Sequence, residues 1–589
     1  MALGLLLVAT SYTLARSHAA GALPCFWIGL LEIVLPTAWR LAGRRAYRGE
    51  RLALVVLLGL TLYGVKVLYN PLGFAQHDEF LHWHTADAIL RTGRLFGPNS
   101  LLPVSSLYPG LESVTSALVS LSGMSIFLAG TIVVGVARAL LMLALFLFVE
   151  RITRSPRVAG LTSLFYCTNF SFLIFDAQYS YESLALPLAV LTLFFVSRAR
   201  DGTRTRGSDL RILLLAAAVV VTHHLTSYAL VAFLGAWWAI ERWRGGAALS
   251  RRVAVIGETA LATAALALLW LVAVAHITIG YLAPTFFGAV GEVVQIAARE
   301  TGGRVPFQSY AGEPFPLWER VLSLAAVGLV TLAIPVGLLA LRRTRASTGA
   351  VIALALAALL FPVSQVLRLT RSGAELASRS PEFLFLGIAL LEAAICLHPR
   401  AQRLARPLFA AVFLPILGVL LLGGVFTGVG PSSRLLPGTY RIEADAESIE
   451  PQGLDTASWA KTALGPDNRI AADRVNGLLL GSYGEQYPVT NLADHVNIAA
   501  IYFSDALNNY DRLLLQQGKV RYVVVDRRMT EGLPLYGVYV ENGEPDSYLH
   551  RTPVSSYALA KFATLPGVSK VYDSGEIVIY DVRAISGAQ

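Results

Sequence analysis

The sequence predicts an α-helical polytopic membrane protein of about thirteen transmembrane helices with a C-terminal extracytoplasmic α/β domain. Three observations carry that prediction. Of the 589 residues, 55% are hydrophobic and 15% charged, and the mean hydropathy of +0.57 lies beyond the soluble globular range. Apolar runs recur along the first 427 positions and cease at Gly428. Arginines gather in alternate connections between those runs. The formal charge of +9 divides unequally: residues 1–427 hold 34 basic and 20 acidic side chains, residues 428–589 hold 14 and 19. The basic excess thus belongs to the apolar part, where it reports topology, and needs no nucleic-acid partner.

A membrane helix takes about 20 apolar residues. Runs of that order place helices at 2–15, 20–40, 52–69, 124–149, 158–175, 179–197, 211–222, 225–240, 253–275, 317–341, 348–367, 382–397 and 407–427. The N-terminal MALGLLLVATSYTLA lacks a basic n-region and a small-residue cleavage site, so it reads as a first membrane segment and not as a signal peptide. Cys25, Cys167 and Cys396 lie in apolar runs with no disulfide or zinc spacing.

Charge orients the helices. Arg40, Arg44, Arg45, Arg48 and Arg51 form the first basic connection, Arg151, Arg154 and Arg157 the second, and Arg198, Arg200, Arg204, Arg206 and Arg211 the third. Arg242, Arg244, Arg251 and Arg252 follow, then Arg342, Arg343 and Arg345, then Arg400, Arg403 and Arg406. The positive-inside rule assigns these six loops to the cytoplasm of a plasma-membrane protein. Segments 70–123, 276–316 and 368–381, the turn 176–180 and the domain 428–589 then face outward. The stretch 211–241 must cross twice between basic loops, yet its first arm reaches only about 18 Å. Its turn, Thr222 to Ser227, is expected inside the membrane profile, where polar backbone must be buried in protein or line water.

Candidate site residues cluster on the outward side. Residues 77–91 read as an amphipathic helix, 98–109 as a loop and 110–122 as a short surface helix. Asp78 and Glu79 are adjacent there, flanked by His77, His82 and His84, and Asp78 and His82 are spaced to share a helix face. A carboxylate at the mouth of a membrane cavity suits a general base on a hydroxyl, or a ligand to a divalent cation such as magnesium or manganese, with Asp78, Glu79 and His82 as the ligand set. A charged surface helix has the same pattern. Asp176, Tyr179 and Glu182 mark the outer end of a helical hairpin, as substrate contacts or as a helix cap and an interfacial aromatic belt. His223 and His224 at the recessed turn are a metal ligand or phosphate donor, at most one of them in direct contact, or buried hydrogen-bonding groups. Arg368, Arg371 and Arg379 crowd an outward loop, against the topology rule, as a clamp for a lipid phosphate or as partners of Glu375, Glu382 and headgroups. Arg138, deep in 124–149, is expected to pair with Glu32 or line the cavity.

In the C-terminal domain, Val520 to Asp526 reads as a buried strand and 569–582 as a hairpin turning at Asp573-Ser574-Gly575. Helices are expected near 453–463, 472–480 and 497–517. No glycine-rich nucleotide fingerprint occurs, so no nucleotide cofactor is expected. Shaping a cavity or holding an acceptor suits this domain better than chemistry.

Gln76-His77-Asp78-Glu79-Phe80 in the first outward loop, with the second large loop at 276–316 between the seventh and eighth helices counted from 52–69, resembles the GT-C superfamily of membrane glycosyltransferases. That superfamily includes protein O-mannosyltransferases and the aminoarabinose and arabinofuranosyl transferases. Helices 2–15 and 20–40 precede the expected first helix and depart from the pattern. The resemblance implies inverting transfer of a sugar from a polyprenyl-phosphate donor to an extracytoplasmic glycan, lipid or protein. It makes Asp78 the general base, with Glu79 supporting it or helping to bind a cation. The alternatives are a polyprenyl-diphosphate-dependent polymerase or ligase working from arginine and histidine, and a transporter or envelope scaffold.

Overall fold

A computed structural model describes residues 1–588 except 203–204, 245–250, 299–303 and 343–347. Arg204, Arg343 and Arg345 of the arginine series lie outside the described residues. The helices in chain order are α1 Ala2–Arg16, α2 Ala22–Ala42, α3 Arg48–Tyr69, α4 His77–Thr92, α5 Gly110–Ser122, α6 Ile126–Thr153, α7 Pro156–Tyr166 and α8 Tyr181–Asp201. They continue as α9 Arg206–Thr222, α10 His224–Arg244, α11 Arg251–Ala273, α12 Ile277–Ala297, α13 Leu317–Arg342, α14 Gly349–Ala358 and α15 Phe361–Leu367. The apolar part ends with α16 Arg371–Arg379, α17 Pro381–Leu397, α18 Pro399–Gln402 and α19 Arg406–Val429.

Among the described residues nine helices are long and apolar enough to cross a membrane, or ten if α16 and α17, bent by 52°, count as one broken span. The protein is therefore a multi-pass membrane protein, with fewer full-length spans than the thirteen expected. The shortfall has local causes. α1 is a short apolar helix. The run 158–175 stays helical only to Tyr166, beyond which Thr168, Asn169 and Ser171 draw hydrogen bonds away from a helical ladder. The pair α9 and α10 breaks only at His223, an extended residue.

The largest departure is α12, a 21-residue helix inside the segment expected to be an outward loop. It is apolar enough to be a candidate span. The arginines at the start of α11 and the end of α13 place those ends on one side, and α11 and α13 already supply two crossings. A single further crossing by α12 would break that parity, which favours a helix that lies at the interface or enters and returns. Glu292 of α12 accepts from the Arg371 and Ser372 amides (2.6 and 3.2 Å), tying the helix to the start of α16.

The chain forms two compact units: residues 1–71, 130–306 and 316–436 in one, residues 72–129, 307–315 and 437–589 in the other. Residues 72–129 thus fold with the C-terminal residues, although more than 300 positions separate them in sequence. The second unit is built on a five-stranded sheet of β1 Arg469–Ala471, β2 Tyr487–Pro488, β3 Tyr522–Asp526, β4 Ser569–Asp573 and β5 Ile577–Asp581, in the order β2-β1-β3-β5-β4. β1 runs parallel to both β2 and β3, while β5 runs antiparallel to β3 with Val524 opposite Ile579. β3 is buried throughout, as its unbroken apolar run requires. The expected hairpin turns at Ser574 to Glu576, with Gly575 at φ +101°. Helices α20 Pro451–Leu464 and α21 Arg474–Gly481 occupy the expected helical stretches, whereas 497–517 divides into a short 3-10 segment and a helix from Asn509.

Candidate active site

In the second unit, α4 opens with the acidic pair, and the pair divides its work. Glu79 is fully buried and its carboxylate accepts from the backbone amides of Ala75 and Gln76 (3.1 and 3.0 Å), while the Gln76 side chain caps the amide of Glu79 in return. Glu79 thereby takes part in starting the helix. Asp78, one residue earlier, keeps 24% of its side chain exposed and lies 3.5 Å from Nδ1 of His77.

The expected pairing of Asp78 with His82 does not form. His82 Nδ1 instead meets Glu112 of α5 at 2.5 Å, both side chains being buried. A buried carboxylate has a strong demand for a partner, and His82 meets it between α4 and α5. His84 likewise turns to the carbonyl of Gly481 (2.5 Å), pinning α4 to the end of α21. Phe80 and Trp83 pack on Tyr483, with ring centroids 5.8 and 5.1 Å apart. Asp78, Glu79 and His82 therefore do not converge as a ligand set, and among the described residues no group of three or more His, Cys, Asp or Glu is arranged to hold a metal ion. These residues do not fit a cation.

The C-terminal segment contributes an acid that the sequence did not single out. Asp445 pairs with Arg474 at 2.6 Å and lies within electrostatic reach of His77. Burial pushes the Asp445 carboxyl up, but Arg474, then His77 and Tyr536, outweigh it and hold the group below its ordinary range. Asp78, His77, Asp445 and Arg474 thus neighbour one another in that order near the start of α4.

The membrane unit holds a second polar cluster, built on the irregular residues between α7 and α8. This segment is buried along almost its whole length, and its own side chains satisfy its backbone. The Thr168 hydroxyl donates to the Phe165 carbonyl (2.7 Å), Asn169 accepts from the Ser171 amide (3.0 Å), and Ser171 donates to the Ser378 carbonyl (2.8 Å). Asp176 follows in a 3-10 turn and accepts from Asn169 (3.2 Å). Burial pushes Asp176 up to about 6, against the pull of Arg138. Arg138 does not pair with Glu32. It donates to the Phe172 carbonyl (2.8 Å) and stacks on the Phe172 ring at 4.0 Å, because the non-helical segment frees a carbonyl beside it.

Glu182, at the start of α8, meets Arg379 at 3.5 Å and His223 Nε2 at 3.8 Å. His223 bonds Thr226 through Nδ1 (2.8 Å) and stacks on Tyr181 with centroids 4.4 Å apart. Thr222, His223, His224, Thr226 and Ser227 are all buried, so the polar turn between α9 and α10 lies within protein. His224 packs edge-on to Tyr181, Tyr228 and Tyr281, and Tyr179 is buried. The three arginines expected as one clamp separate. Arg379 joins the cluster, Arg368 donates to the Thr427 and Ala377 carbonyls, and Arg371 is exposed at the N-terminus of α16. The reason is that 371–379 is helical and Arg368 precedes it, so the three side chains leave in different directions.

No protein-family model and no curated protein matches this sequence. Solved structures do. The chain is similar to ArnT from Cupriavidus metallidurans bound to undecaprenyl phosphate, with 14% identity, 92% of this chain and 100% of that one covered, and a TM-score of 0.51. The apo state of the same protein gives 14% identity, coverage of 91% and 99%, and 0.50. The Archaeoglobus fulgidus oligosaccharyltransferase tethered with an acceptor peptide containing the NVT sequon gives 13% identity, coverage of 83% and 70%, and 0.50. The chain has a GT-C fold.

Within that GT-C fold, the sequence named Asp176, Glu182, His223 and Arg379 without revealing that they meet. It treated Glu382 only as a partner for arginine. Glu382, near the start of α17, is buried, and neither of its carboxylate oxygens has a hydrogen-bond partner among the described residues. An acid two residues into an apolar helix after a proline was the available signal, and it read equally as a helix-start charge.

Proposed function

We propose that this protein is a membrane glycosyltransferase that moves a sugar from a polyprenyl-phosphate donor to an extracytoplasmic glycan, lipid or protein acceptor, with inversion at the anomeric carbon. It acts in the plasma membrane, with α4, α5 and the C-terminal sheet outside. The GT-C fold supports the reaction class, since ArnT of that fold holds undecaprenyl phosphate and the oligosaccharyltransferase was tethered to an acceptor peptide. The observation that supports the assignment of the base is the division of the acidic pair: Glu79 is fully buried and caps α4, whereas the Asp78 side chain is only partly buried.

In the proposed step Asp78 accepts the acceptor's hydroxyl proton as that oxygen bonds to the anomeric carbon. The bond from that carbon to the phosphate oxygen breaks, and polyprenyl phosphate leaves with the electron pair. His77 is proposed to orient the Asp78 carboxylate, with Asp445 within electrostatic reach of the imidazole. Arg379 and His223 are the residues proposed to meet the donor's phosphate. Asp176, Tyr179, Glu182 and His224 are proposed as further donor contacts within the membrane unit.

The test is a transfer assay on full-length protein with Asp78→Asn and Glu79→Gln. Loss of a general base costs about 10²–10⁴-fold in rate. Asp78→Asn should show that loss with its thermal unfolding unchanged, while Glu79→Gln should lower stability first. Full activity in Asp78→Asn would overturn the assignment.

A further inference from the structure

At the end of the bundle that carries the basic connections, the membrane unit has an open cavity of about 640 Å³ between the first residue of α3, the end of α6 and the end of α8. Arg48, Arg151, Arg154 and Arg198 line it, with Glu150 and Asp201. These arginines come from three separate loops of the arginine series, so they meet only in the folded protein. A topology signal alone asks for arginines on this side of the membrane and does not ask that they wall one cavity.

Part of the charge is already matched. Arg48 holds Glu150 with two hydrogen bonds of 2.7 and 2.8 Å, and Arg151 lies 3.6 Å from Asp201. Neither Arg154 nor Arg198 is in an ion pair among the described residues, which leaves two guanidinium groups over. Arg154 also takes a positive φ of 56° just past the end of α6, a conformation that favours glycine and asparagine, yet an arginine stands there. Leu147 and Phe194, each about one helical turn from the arginine level, form the apolar part of the wall. An anionic head above an apolar floor is the chemistry of a phospholipid and not of free phosphate.

We infer that this cavity is a binding site for the phosphate group of an anionic phospholipid of the membrane leaflet on the arginine-rich side, with Arg154 and Arg198 as its direct contacts. The site is independent of the proposed transfer reaction. Basic pockets between transmembrane helices on the cytoplasmic side are suited to such headgroups, and each basic residue near an anionic surface contributes on the order of a fivefold gain in affinity.

The experiment is native mass spectrometry of the detergent-purified full-length protein titrated with dihexanoyl-phosphatidylglycerol, dihexanoyl-phosphatidylcholine and inorganic phosphate. Phosphatidylglycerol should bind the wild type and bind R154Q/R198Q about 25-fold more weakly, with R154K/R198K retaining most of the affinity because charge is kept. R45Q, which removes an exposed arginine of the same basic series that does not line the cavity, should bind like wild type. Equal binding by the wild type and R154Q/R198Q would overturn the site, as would phosphatidylcholine binding as tightly as phosphatidylglycerol. An equal loss in R45Q would reassign the effect to general surface attraction and overturn it too. Displacement of phosphatidylglycerol by equimolar inorganic phosphate would overturn the lipid assignment in favour of free phosphate.

Discussion

Replacing Gly424 by alanine tests whether the irregular segment between α7 and α8 positions the polar cluster of the membrane unit. A Cβ at Gly424 would stand 2.7 Å from the Thr168 carbonyl oxygen and 3.1 Å from the Phe170 ring. Carbon to carbonyl-oxygen contacts settle at about 3.3–3.6 Å, so the segment must retreat by roughly 0.6–0.9 Å. The obstacle is backbone, which cannot turn aside as a side chain does. Such overpacking costs about 1–3 kcal/mol. Asn169, next in the chain, holds Asp176 at 3.2 Å, so the shift passes to that carboxylate. With about 1 Å of misplacement worth on the order of 100-fold, the transfer rate should fall by about 10- to 100-fold. Gly418→Ala, on the same helix, is the internal control: its nearest neighbour is Leu31 Cδ2 at 3.8 Å, an ordinary contact. Both changes gain the same helix propensity, which cancels in the comparison. The assay is initial transfer rate with thermal unfolding of each variant in parallel. Gly424→Ala matching Gly418→Ala in both measurements would refute the positioning argument.

Breaking the buried pair between α4 and α5, by His82→Ala or Glu112→Gln, should destabilise the second unit by about 1–3 kcal/mol, read from urea midpoints. The double variant should fall well short of the sum if the two groups act as a pair. Burial raises Asp473 from its ordinary value to about 6 and raises Glu443 as well. Folding therefore takes up protons there: this contribution is full below about pH 4 and is lost as pH rises through about 6. The urea midpoint should show that fall in the wild type and a flatter profile in Asp473→Asn; parallel profiles would exclude it. For topology, a cysteine at Asp78 should react with an impermeant maleimide added outside intact cells, and a cysteine at Arg154 only after permeabilisation. Reversed labelling would remove the basis for an outward site.

Much of the fold was legible along the chain because its signals are local. Spans read from apolar length match helices such as α6, α13 and α19 within a few residues, and β3 and the β4–β5 hairpin follow from an apolar run and a glycine turn. α12 was hidden because Pro284 and Glu292 interrupt an otherwise apolar run, which then reads as a loop. The site was legible as residue types but not as partners. Helical spacing suggested Asp78 with His82, and the neighbour that captured His82 was Glu112, thirty residues on.

By itself the sequence determined that the chain is a multi-pass membrane protein, which end of the bundle gathers arginine, and that an acidic pair opens the helix after α3. Those properties follow from hydropathy, charge and chain order, which need no knowledge of the folded neighbours. Only the tertiary structure decided that Glu79 caps while Asp78 stays partly exposed, and that Asp445, paired with Arg474, comes within electrostatic reach of His77. It alone gathered Glu182, His223 and Arg379, and walled one cavity with arginines from three loops. A buried ionisable group takes its role from whatever charge lies within a few ångströms, and that distance is set by packing between segments far apart in the chain.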